Sequence, residues 1–520
     1  MKTWFVSSLL ALLWASPSWA VRAQEGLACL EVSDLGCAIE VRDAVLASGD
    51  RSEPALVLKM RTLFREGRYA EAVAVLETLE AAGAVSLERE SNPYRATAVA
   101  SRGMVSAGDA DVEVRRAEGV EAVLEQEALE VLKNSRSVYD SLFGGGPKHR
   151  VLLDIFPTAQ RFIQASGLPP EAVRKTGVVA LSKWSRLLIS SPRALSRGYG
   201  WKDTVAHEYI HLVISVQSED RAPVWLQEGL AKLLETRWRS PDNSALTVHQ
   251  QSLLARALKS DEFVPFEKFK HSMAYLDSGD EAALAFAQVA TLVEHALERS
   301  GESALPRIMA GIRDGDSAQW VMAQAAGYDD FDAMIAGWKA WLAEVPLIAE
   351  QVATLPVVLD GDADDYAADP LLAADMSRAR AARLGDLLLE RGRPLAALIE
   401  YRKAAGDEGP PSPLMMARET RCLAELEREE EAVALSEKGV TLYPEFTLLW
   451  VTRARLMARL GRVQASVQAW AAAHELNPFD DEVEQALVDG YTALGDTAKA
   501  GHHQRILTIL NTGGAAAMSR

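Results

Sequence analysis

The sequence feature that most constrains the fold is a pair of short motifs, HEYIH at 207–211 and WLQEG at 225–229. Positions four apart share one face of a helix, so His207 and His211 present two imidazoles to a single point. Glu208 lies about 100° round that helix, beside this point and not on it. The chain must therefore place a helix so that one polar edge faces a cleft.

A second helix is predicted to bring Glu228 to the same point. Pro223 is placed to open this helix, and Glu228 follows His211 by 17 residues, which leaves room for a loop and a return crossing. Two ring nitrogens and one carboxylate oxygen leave the fourth tetrahedral position open for water, which is the catalytic arrangement for zinc. The alternative is that two buried histidines and a glutamate at a helix start stabilise their surroundings without a metal.

At these residues the sequence resembles the gluzincin metallopeptidases, and most closely their bacterial peptidase MA-like group, over about 119–345. The resemblance implies a zincin-like domain, built of a small sheet and a helical subdomain, that binds Zn²⁺ and hydrolyses peptide bonds with a metal-activated water. It implies these roles: zinc ligands His207, His211 and Glu228, and general base Glu208.

In such peptidases an edge strand beside the zinc helix holds the substrate backbone. By this resemblance the candidate substrate strand consists of Leu187, Leu188, Ile189 and Ser190. The same apolar run also fits an interior strand without a free edge, and the sequence leaves both interpretations open.

One position departs from the family in a way that bears on activity. In related enzymes a tyrosine on a later helix donates a hydrogen bond to the oxyanion, and the matching run 285–289 has Phe286 in its place. Phenylalanine cannot donate a hydrogen bond. Either another group such as Tyr275 or His271 takes over this role, or the protein hydrolyses its substrate slowly or not at all.

The acid that orients a ligand histidine is also not where it is expected. Lys232 stands one turn after Glu228, where an acid would orient a ligand histidine. Glu235 matches an acid that is common in relatives, but the sequence leaves its role open. A GxMEN-like strand, which captures a free amino terminus in aminopeptidases, is absent from the sequence, so endopeptidase action is favoured.

A repeat of 34 residues organises the C-terminal part, where Leu426, Leu460 and Leu494 recur at this interval. A period of about 34 residues marks tetratricopeptide helical hairpins, each of which buries one face on the next. Four hairpins are predicted within 377–511, forming a solenoid whose groove binds a protein partner. A purely structural cap is the alternative. The two histidines at 502–503 are predicted to lie at the solvated surface.

The N-terminus has the pattern of a secretory signal. One positive charge, a short apolar core and small residues precede a predicted cleavage after Ala20 or Ala23. No later stretch is long and apolar enough to span a membrane, so we expect an exported protein, periplasmic or secreted. Cys29 and Cys37 are predicted to form a disulfide in an oxidising compartment, and lipid attachment at Cys29 is the alternative. Cys422 is predicted to be a buried thiol.

Charge and length complete the prediction. The net charge of −18 disfavours nucleic acid as a partner, and 520 residues are enough for about three domains. The fold class is α+β, mainly α, with strands expected at 151–156, 178–181 and 186–190, and one long helix at 112–142. The predicted domain order is a signal peptide at 1–23, an N-terminal helical region with one tetratricopeptide-like hairpin at 24–118, a gluzincin peptidase MA-like domain at 119–345, an acidic linker at 346–376, the repeat array at 377–511 and a tail at 512–520.

Two functions from different classes are compatible with these features. The leading interpretation is an exported zinc metallopeptidase whose array recruits a protein substrate or partner. The alternative is a catalytically weak or inactive peptidase-fold scaffold for protein interaction. Glu208 and the three ligands favour the peptidase, whereas Phe286 favours the scaffold.

Overall fold

The computed structural model describes residues 19–84, 87–171, 173, 177–269, 273, 276–355, 366, 369–406 and 408–518. The first 18 residues of the predicted signal peptide lie outside these ranges. So does most of the acidic run of the predicted linker, at 356–365 and 367–368.

Five helices form the N-terminal region: α1 (Trp19–Glu31), α2 (Leu35–Ala47), α3 (Glu53–Arg65), α4 (Tyr69–Ala81) and α5 (Glu88–Ala100). Cys29 of α1 and Cys37 of α2 form the expected disulfide. α3 and α4 form the predicted hairpin around Gly67, whose φ of 78° suits a glycine at this turn. Ala72 is fully buried where the two helices meet.

A five-stranded sheet follows, made of β1 (Met104–Gly108), β2 (Val112–Ala117), β3 (Val151–Phe156), β4 (Ala180–Lys183) and β5 (Arg186–Ser190). Its strand order is β1-β2-β3-β5-β4. β2, β3 and β5 run parallel, with Val114 opposite Leu153 and Leu153 opposite Leu187. β1 and β4 close the two edges as antiparallel strands.

The expectation of one helix over 112–142 is wrong, because its first residues form β2. Val112 and Val114 are buried and alternate with the charged Glu113 and Arg115, which is the two-residue period of a strand. The second part is helical, with a short 3-10 helix (Val120–Leu124) that leads into α6 (Glu125–Leu142). β1 and β2 therefore belong to the sheet of the predicted peptidase domain, called the peptidase part below, although both precede its predicted start at residue 119.

Helices pack on the sheet and form the rest of the peptidase part: α7 (Ala159–Ser166), α8 (Trp201–Ser218), α9 (Val224–Leu234), α10 (Val248–Ser260), α11 (Gly279–Ser300), α12 (Leu305–Arg313), α13 (Ala318–Ala325) and α14 (Phe331–Glu344). One continuous hydrophobic core joins the buried faces of β2, β3 and β5 to α6, α8, α9, α11, α12 and α14. This core holds α8 and α9 side by side.

The C-terminal part begins with α15 (Pro370–Ala374) and continues as four hairpins: α16 (Met376–Glu390) with α17 (Pro394–Ala405), α18 (Pro413–Glu425) with α19 (Glu429–Leu442), α20 (Thr447–Arg459) with α21 (Val463–Leu476), and α22 (Asp481–Ala493) with α23 (Thr497–Met518). Small residues permit close helix contact, since a Cβ at Gly385 would lie 2.5 Å from the ring of Tyr401. Cys422 is buried in the core of the array, as expected. The predicted fold class, mainly α with a small sheet and a helical array, is confirmed.

The array packs against the peptidase part instead of extending away from it. The backbone N–H of Tyr199 donates to the carbonyl of Leu476 at 3.0 Å. Next to this bond, Nζ of Lys202 pairs with Oε1 of Glu475 at 2.7 Å. Residues 346–355 run between α10 and the array, and the N–H of Ala353 bonds the hydroxyl of Tyr443 at 3.2 Å. Among the described residues, no helix combines the length and the apolar character of a membrane span.

Candidate metal centre

The first half of the centre lies on α8. His207 and His211 are one turn apart on this helix, and their ring centroids lie 4.9 Å from each other. Val205, Ile210 and Val213, on the other sides of the helix, have no exposed surface. The apolar sides fix the orientation of α8, so its histidine edge faces a cleft.

The second half lies on α9, whose position depends on Gly229. A Cβ at this position would lie 2.7 Å from the carbonyl oxygen of Val289 on α11, a distance that side chains do not tolerate. The glycine therefore allows α9 and α11 to touch through their backbones. Because Glu228 precedes Gly229, this contact helps to position the part of α9 that carries the carboxylate.

The three predicted ligands meet at one point. Oε2 of Glu228 lies 3.4 Å from Nε2 of His207 and 3.4 Å from Nε2 of His211. One ligand atom from each residue lies within 4.8 Å of the other two. Two nitrogens and one oxygen can thus hold a metal ion and leave a coordination position on the cleft side.

Side chains of α9 and the following residues hold the outer ring nitrogens. Nδ1 of His207 donates to Oε2 of Glu235 at 3.0 Å, and Oε1 of the same carboxylate accepts from Nζ of Lys232 at 2.5 Å. Nδ1 of His211 lies 3.4 Å from Oε1 of Gln227. A carboxylate that accepts from Nδ1 leaves Nε2 deprotonated and available for a metal. Glu235 therefore takes the orienting role that the sequence left open.

The charges around His207 favour a cation at its Nε2 atom. Burial raises the pKa of Glu235, but Lys232 and His207 outweigh this effect and lower it to about 2. Burial lowers the pKa of His207, while hydrogen bonds to Glu228 and Glu235 raise it to about 10. A proton and a metal ion consequently compete for the same nitrogen.

Glu208 lies next to the ligands without being one of them. Its side chain is 7% exposed and lines the cleft. Burial raises the pKa of Glu208, and the nearby His211 and His207 offset part of this increase. The backbone of Ser182 in β4 forms a hydrogen bond with the carboxylate, which fixes it at the wall of the cleft.

The cleft has a volume of about 540 Å³, and its described lining consists of residues of the peptidase part and one residue of the array. Its lining includes Gly177, Val178, Val179, Ala180, Leu181, Ser182, Thr204, His207, Glu208, His211, Ser215, Gln227, Glu228, Lys232, Glu235, Gln250, Met273, Phe286 and Glu445. Residues 177–182 and two residues of α11, Ala282 and Phe286, contribute to its lining. Glu445 comes from the turn between the second and third hairpins, so the array contributes directly to the cleft.

The predicted substrate strand, Leu187, Leu188, Ile189 and Ser190, is corrected by the structure. These residues belong to β5, which lies between β3 and β4 and is hydrogen-bonded on both sides. All residues of β5 are buried. Its continuous apolar run reflects this interior position, which is typical of strands covered on both faces. The edge strand next to β5 is β4, and β4 lines the cleft.

The register of β4 shows which backbone groups are available at its free edge. The N–H of Ser190 bonds the carbonyl of Val179 at 2.8 Å, and Leu181 stands opposite Leu188. In an antiparallel pair, every second residue bonds the partner strand, and the residues between them point their N–H and C=O groups outward. The backbone groups of Ala180 therefore point to the free edge of β4.

Phe286 lines the cleft, at the position predicted from the sequence. Its two proposed substitutes, His271 and Tyr275, lie outside the described residues, whereas Met273 between them lines the cleft. Tyr199 is a phenol near the centre that the sequence analysis missed. Burial and the charge of Glu208 raise the pKa of Tyr199, whose hydroxyl already donates to the carbonyl of Ser190 at 2.5 Å.

Residues 138–344 match the Peptidase MA superfamily, so the matched segment includes α8, α9 and the whole set of predicted ligands. No curated protein matches the sequence. Among solved structures, the alignment with native yeast LTA4 hydrolase covers 79% of this chain and 66% of the hydrolase chain, at 10% sequence identity and a TM-score of 0.32. Yeast Tom70 aligns with 92% of this chain and 89% of its own at 13% identity and a TM-score of 0.22. MamA aligns with 29% of this chain and 86% of its own at 11% identity and a TM-score of 0.23.

Proposed function

We propose that the protein is a zinc-dependent metallopeptidase that cleaves peptide bonds within a chain. The observation that carries this proposal is the meeting of His207, His211 and Glu228 beside Glu208 in one cleft. Around a tetrahedral zinc ion with bonds of about 2.0 to 2.1 Å, neighbouring ligand atoms are about 3.3 to 3.4 Å apart. Both distances from Oε2 of Glu228 to the imidazole nitrogens are 3.4 Å, so these two spacings match those around a tetrahedral zinc ion.

A zinc ion bound there would supply a Lewis acid that acidifies water and polarises the substrate carbonyl. Glu208 accepts the proton of the attacking water and then delivers it to the leaving amine. Burial raises the pKa of Glu208 towards the range in which it can perform both steps. Glu235 keeps His207 in the tautomer that binds a metal, and thereby acts as a positioning residue.

The edge strand β4 is proposed to hold the substrate backbone by adding it as a further strand to the sheet. The outward N–H and C=O of Ala180 would pair with the substrate, because β4 borders the cleft beside Glu208. Ala180→Pro removes one outward N–H but no bond of the ladder, so the fold should be retained and KM should rise. Leu181→Pro is the matched control, since its N–H faces β5 and its loss should destabilise the fold.

The decisive experiment compares zinc content and peptide hydrolysis in the wild type and in Glu208→Gln. The variant should keep its zinc and lose about 10²-fold or more of its activity, since the general base is removed and the ligands remain. Glu344→Gln, an exposed position on α14, is the matched control and should keep both properties. Equal hydrolysis by the wild type and Glu208→Gln would contradict the proposed role of Glu208.

The second candidate function is an inactive scaffold, and Phe286 is the observation that favours it. The ring of Phe286 lines the cleft but offers no donor to an oxyanion. The scaffold predicts bound zinc without hydrolysis that depends on Glu208. The experiment above therefore separates the two functions.

The array is proposed to recruit a protein partner or substrate through a groove between α18 and α20. This groove has a volume of about 320 Å³ and is lined by the arginines 421, 455 and 459 together with Glu425. Arg421 pairs with Glu425 and Arg455 with Glu482, and Arg459 adds a further positive charge, so an acidic, extended segment of a partner chain would compete for these arginines. Arg421→Glu combined with Arg459→Glu should slow hydrolysis of a long acidic protein substrate. Hydrolysis of a short peptide, which reaches only the cleft, should stay unchanged in the same variant.

We further propose that the protein is exported. The disulfide between Cys29 and Cys37 supports this location, because disulfides persist in oxidising compartments. Ala23 is fully buried against Val45 and Ala55, so cleavage after Ala23 would remove a packed residue. Cleavage after Ala20 is therefore favoured, and N-terminal sequencing of the mature protein tests it. An uncleaved N-terminus in protein recovered from the cytoplasm would contradict export.

A further inference from the structure

A second group of histidines lies where the last two hairpins of the array meet α6. His474 is on α21, His502 and His503 are on α23, Glu484 is on α22 and Glu127 is on α6. One ring nitrogen of each histidine lies within 4.8 Å of the other two, the same limit that the ligands of the first centre meet. We call these five residues the second cluster. Its two adjacent histidines are predicted from the sequence to lie at the solvated surface, whereas His503 is buried in the structure.

The carboxylates of Glu127 and Glu484 form hydrogen bonds with the ring nitrogens of the second cluster. Oε1 of Glu127 lies 2.9 Å from Nε2 of His474 and 3.0 Å from Nε2 of His502. On the opposite side, Oε1 of Glu484 lies 2.6 Å from Nδ1 of His474, and Oε2 lies 2.8 Å from Nδ1 of His503. Glu484 thus orients two rings through their outer nitrogens. This is how a carboxylate prepares histidines for a metal ion.

Protein groups alone balance the charges of the second cluster only when His474 carries a proton on both of its ring nitrogens. Glu127 and Glu484 are buried, with 7% and 0% of their surfaces exposed. Nζ of Lys202 lies 3.3 Å from Oε2 of Glu127 and 2.7 Å from Oε1 of Glu475. Its single positive charge is therefore shared between two carboxylates. With neutral histidines, the buried carboxylates keep an excess of negative charge. Buried charges of this kind need a counter-charge in direct contact.

We propose that Glu127, His474, His502 and His503 bind a second divalent metal ion, of the kind that imidazole ligands favour, such as Zn²⁺. Three imidazole nitrogens and one carboxylate oxygen fill the four tetrahedral positions, which is the closed coordination of a structural site. The distances of 2.9 and 3.0 Å are a few tenths of an ångström below the tetrahedral spacing of about 3.3 Å. Two of the six ligand spacings thus lie close to those around a bound ion, and the three imidazole nitrogens, which lie within 4.8 Å of one another, would close on it.

The second site would join two parts of the molecule. Glu127 belongs to the peptidase part, while the three histidines belong to the array. Glu127 also contacts Lys202 in the first turn of α8, five residues before His207 and about 7 to 8 Å away along the helix axis. The ion fixes the array to the beginning of the helix that carries the first centre. This role goes beyond the proposed peptidase activity and does not depend on it.

The rival explanation is that protons hold the second cluster together. Without an ion, His474 satisfies both carboxylates only when both of its ring nitrogens are protonated. Metal counting separates the two explanations. The full chain is loaded with Zn²⁺, desalted and analysed for zinc in four forms: the wild type, His207→Ala with His211→Ala, His502→Gln with His503→Gln, and the combination of all four substitutions. His249→Gln, a histidine outside both sites, is the matched control.

The wild type and the control should retain two zinc ions per chain, each double variant one, and the combined variant none. In the His207→Ala, His211→Ala variant, added Zn²⁺ should also raise the unfolding temperature, because the second site is intact. If this variant folds normally, as judged by circular dichroism, and retains no zinc, the proposal is wrong. This outcome needs no substitution in the second cluster, so a folding defect there cannot obscure it. Failure of the first centre alone would instead leave this variant with one zinc ion.

Discussion

Replacing Glu235 by glutamine should weaken zinc binding at the first centre although Glu235 does not touch the ion. In the structure Oε2 of Glu235 accepts from Nδ1 of His207 at 3.0 Å, and Oε1 accepts from Lys232. Glutamine keeps the shape of the side chain but removes its negative charge. His207 then loses the partner that makes its Nε2 a strong ligand and holds the ring in place.

The expected loss is about 10-fold to 100-fold in zinc affinity, which is about 1.4 to 2.7 kcal/mol. A second cause must be separated from this one, because Glu235→Gln also leaves Lys232 without its charged partner. Lys232→Met removes that cation and leaves the bond from His207 to Glu235. Since Lys232 helps to lower the pKa of Glu235, its removal should leave zinc affinity unchanged or increase it.

Competition with a chromophoric chelator gives the zinc affinity of the wild type, Glu235→Gln, Lys232→Met and the double variant. The double variant should bind zinc as weakly as Glu235→Gln, because both variants lack the carboxylate that accepts the hydrogen bond from Nδ1 of His207. Glu344→Gln serves as the control for the loss of one negative charge. If the double variant regains the affinity of the wild type, the unpaired Lys232 caused the loss and the orienting role of Glu235 is refuted.

Three further predictions concern stability and turnover. Burial lowers the pKa of His149 to about 4. The neutral imidazole therefore contributes its full stabilisation above pH 6.5, and this contribution is lost as the pH decreases. Between pH 7 and pH 5 the free energy of unfolding should decrease by about 2 kcal/mol more in the wild type than in His149→Gln. Gly198→Ala places a Cβ 2.1 Å from the carbonyl oxygen of Leu476. This variant should lower the free energy of unfolding by about 1 to 3 kcal/mol more than Gly103→Ala, where φ is also positive but no atom lies within 4 Å of the added Cβ. Chemical denaturation measures the free energy of unfolding of both variants. Phe286→Tyr should raise kcat by about 10-fold to 100-fold at unchanged zinc content if a missing donor limits hydrolysis, and an unchanged kcat would contradict that cause.

Helix geometry predicted that His207 and His211, four residues apart, share one face of a helix. The assignment of Glu228 as the third proposed ligand rested on the resemblance to the gluzincin motifs. The glycine of the second motif had no assigned role until the structure showed that Gly229 touches the backbone of Val289. Local periodicity thus identifies which side chains face the same way, but not which helices come into contact.

The orienting residues and the substrate strand required the tertiary structure. Glu235 follows Glu228 by seven residues, which places it on the same side of α9, but only the packing of α8 on α9 brings it to His207. The interior position of β5 depends on its pairing with two strands that are distant in sequence. A continuous apolar run indicates that both faces of a strand are buried, but it does not indicate whether the strand lies at an edge of the sheet.

The early strands and the second cluster were missed for different reasons. In β2, the alternation of Val112 and Val114 with charged residues is only a few residues long, and it lies next to a strong helical pattern. The second cluster has no local signal at all, because Glu127 is separated from His502 by 375 residues. Adjacent histidines in a helix are compatible with solvent as well as with burial. The position of His503 depends on how the array folds back onto α6.

This return of the array onto the peptidase part changes how the two halves can act. Glu445 lies at the turn between two hairpins and lines the same cleft as Glu208. Lys202 connects the first turn of α8 to Glu475 and Glu127. A partner bound in the groove would contact α18 and α20. These helices belong to the same array as Glu445, which lines the cleft, and Glu475, which contacts Lys202 of α8. Recruitment and cleavage are therefore expected to be coupled through these contacts, in contrast to an array that is attached only by a linker.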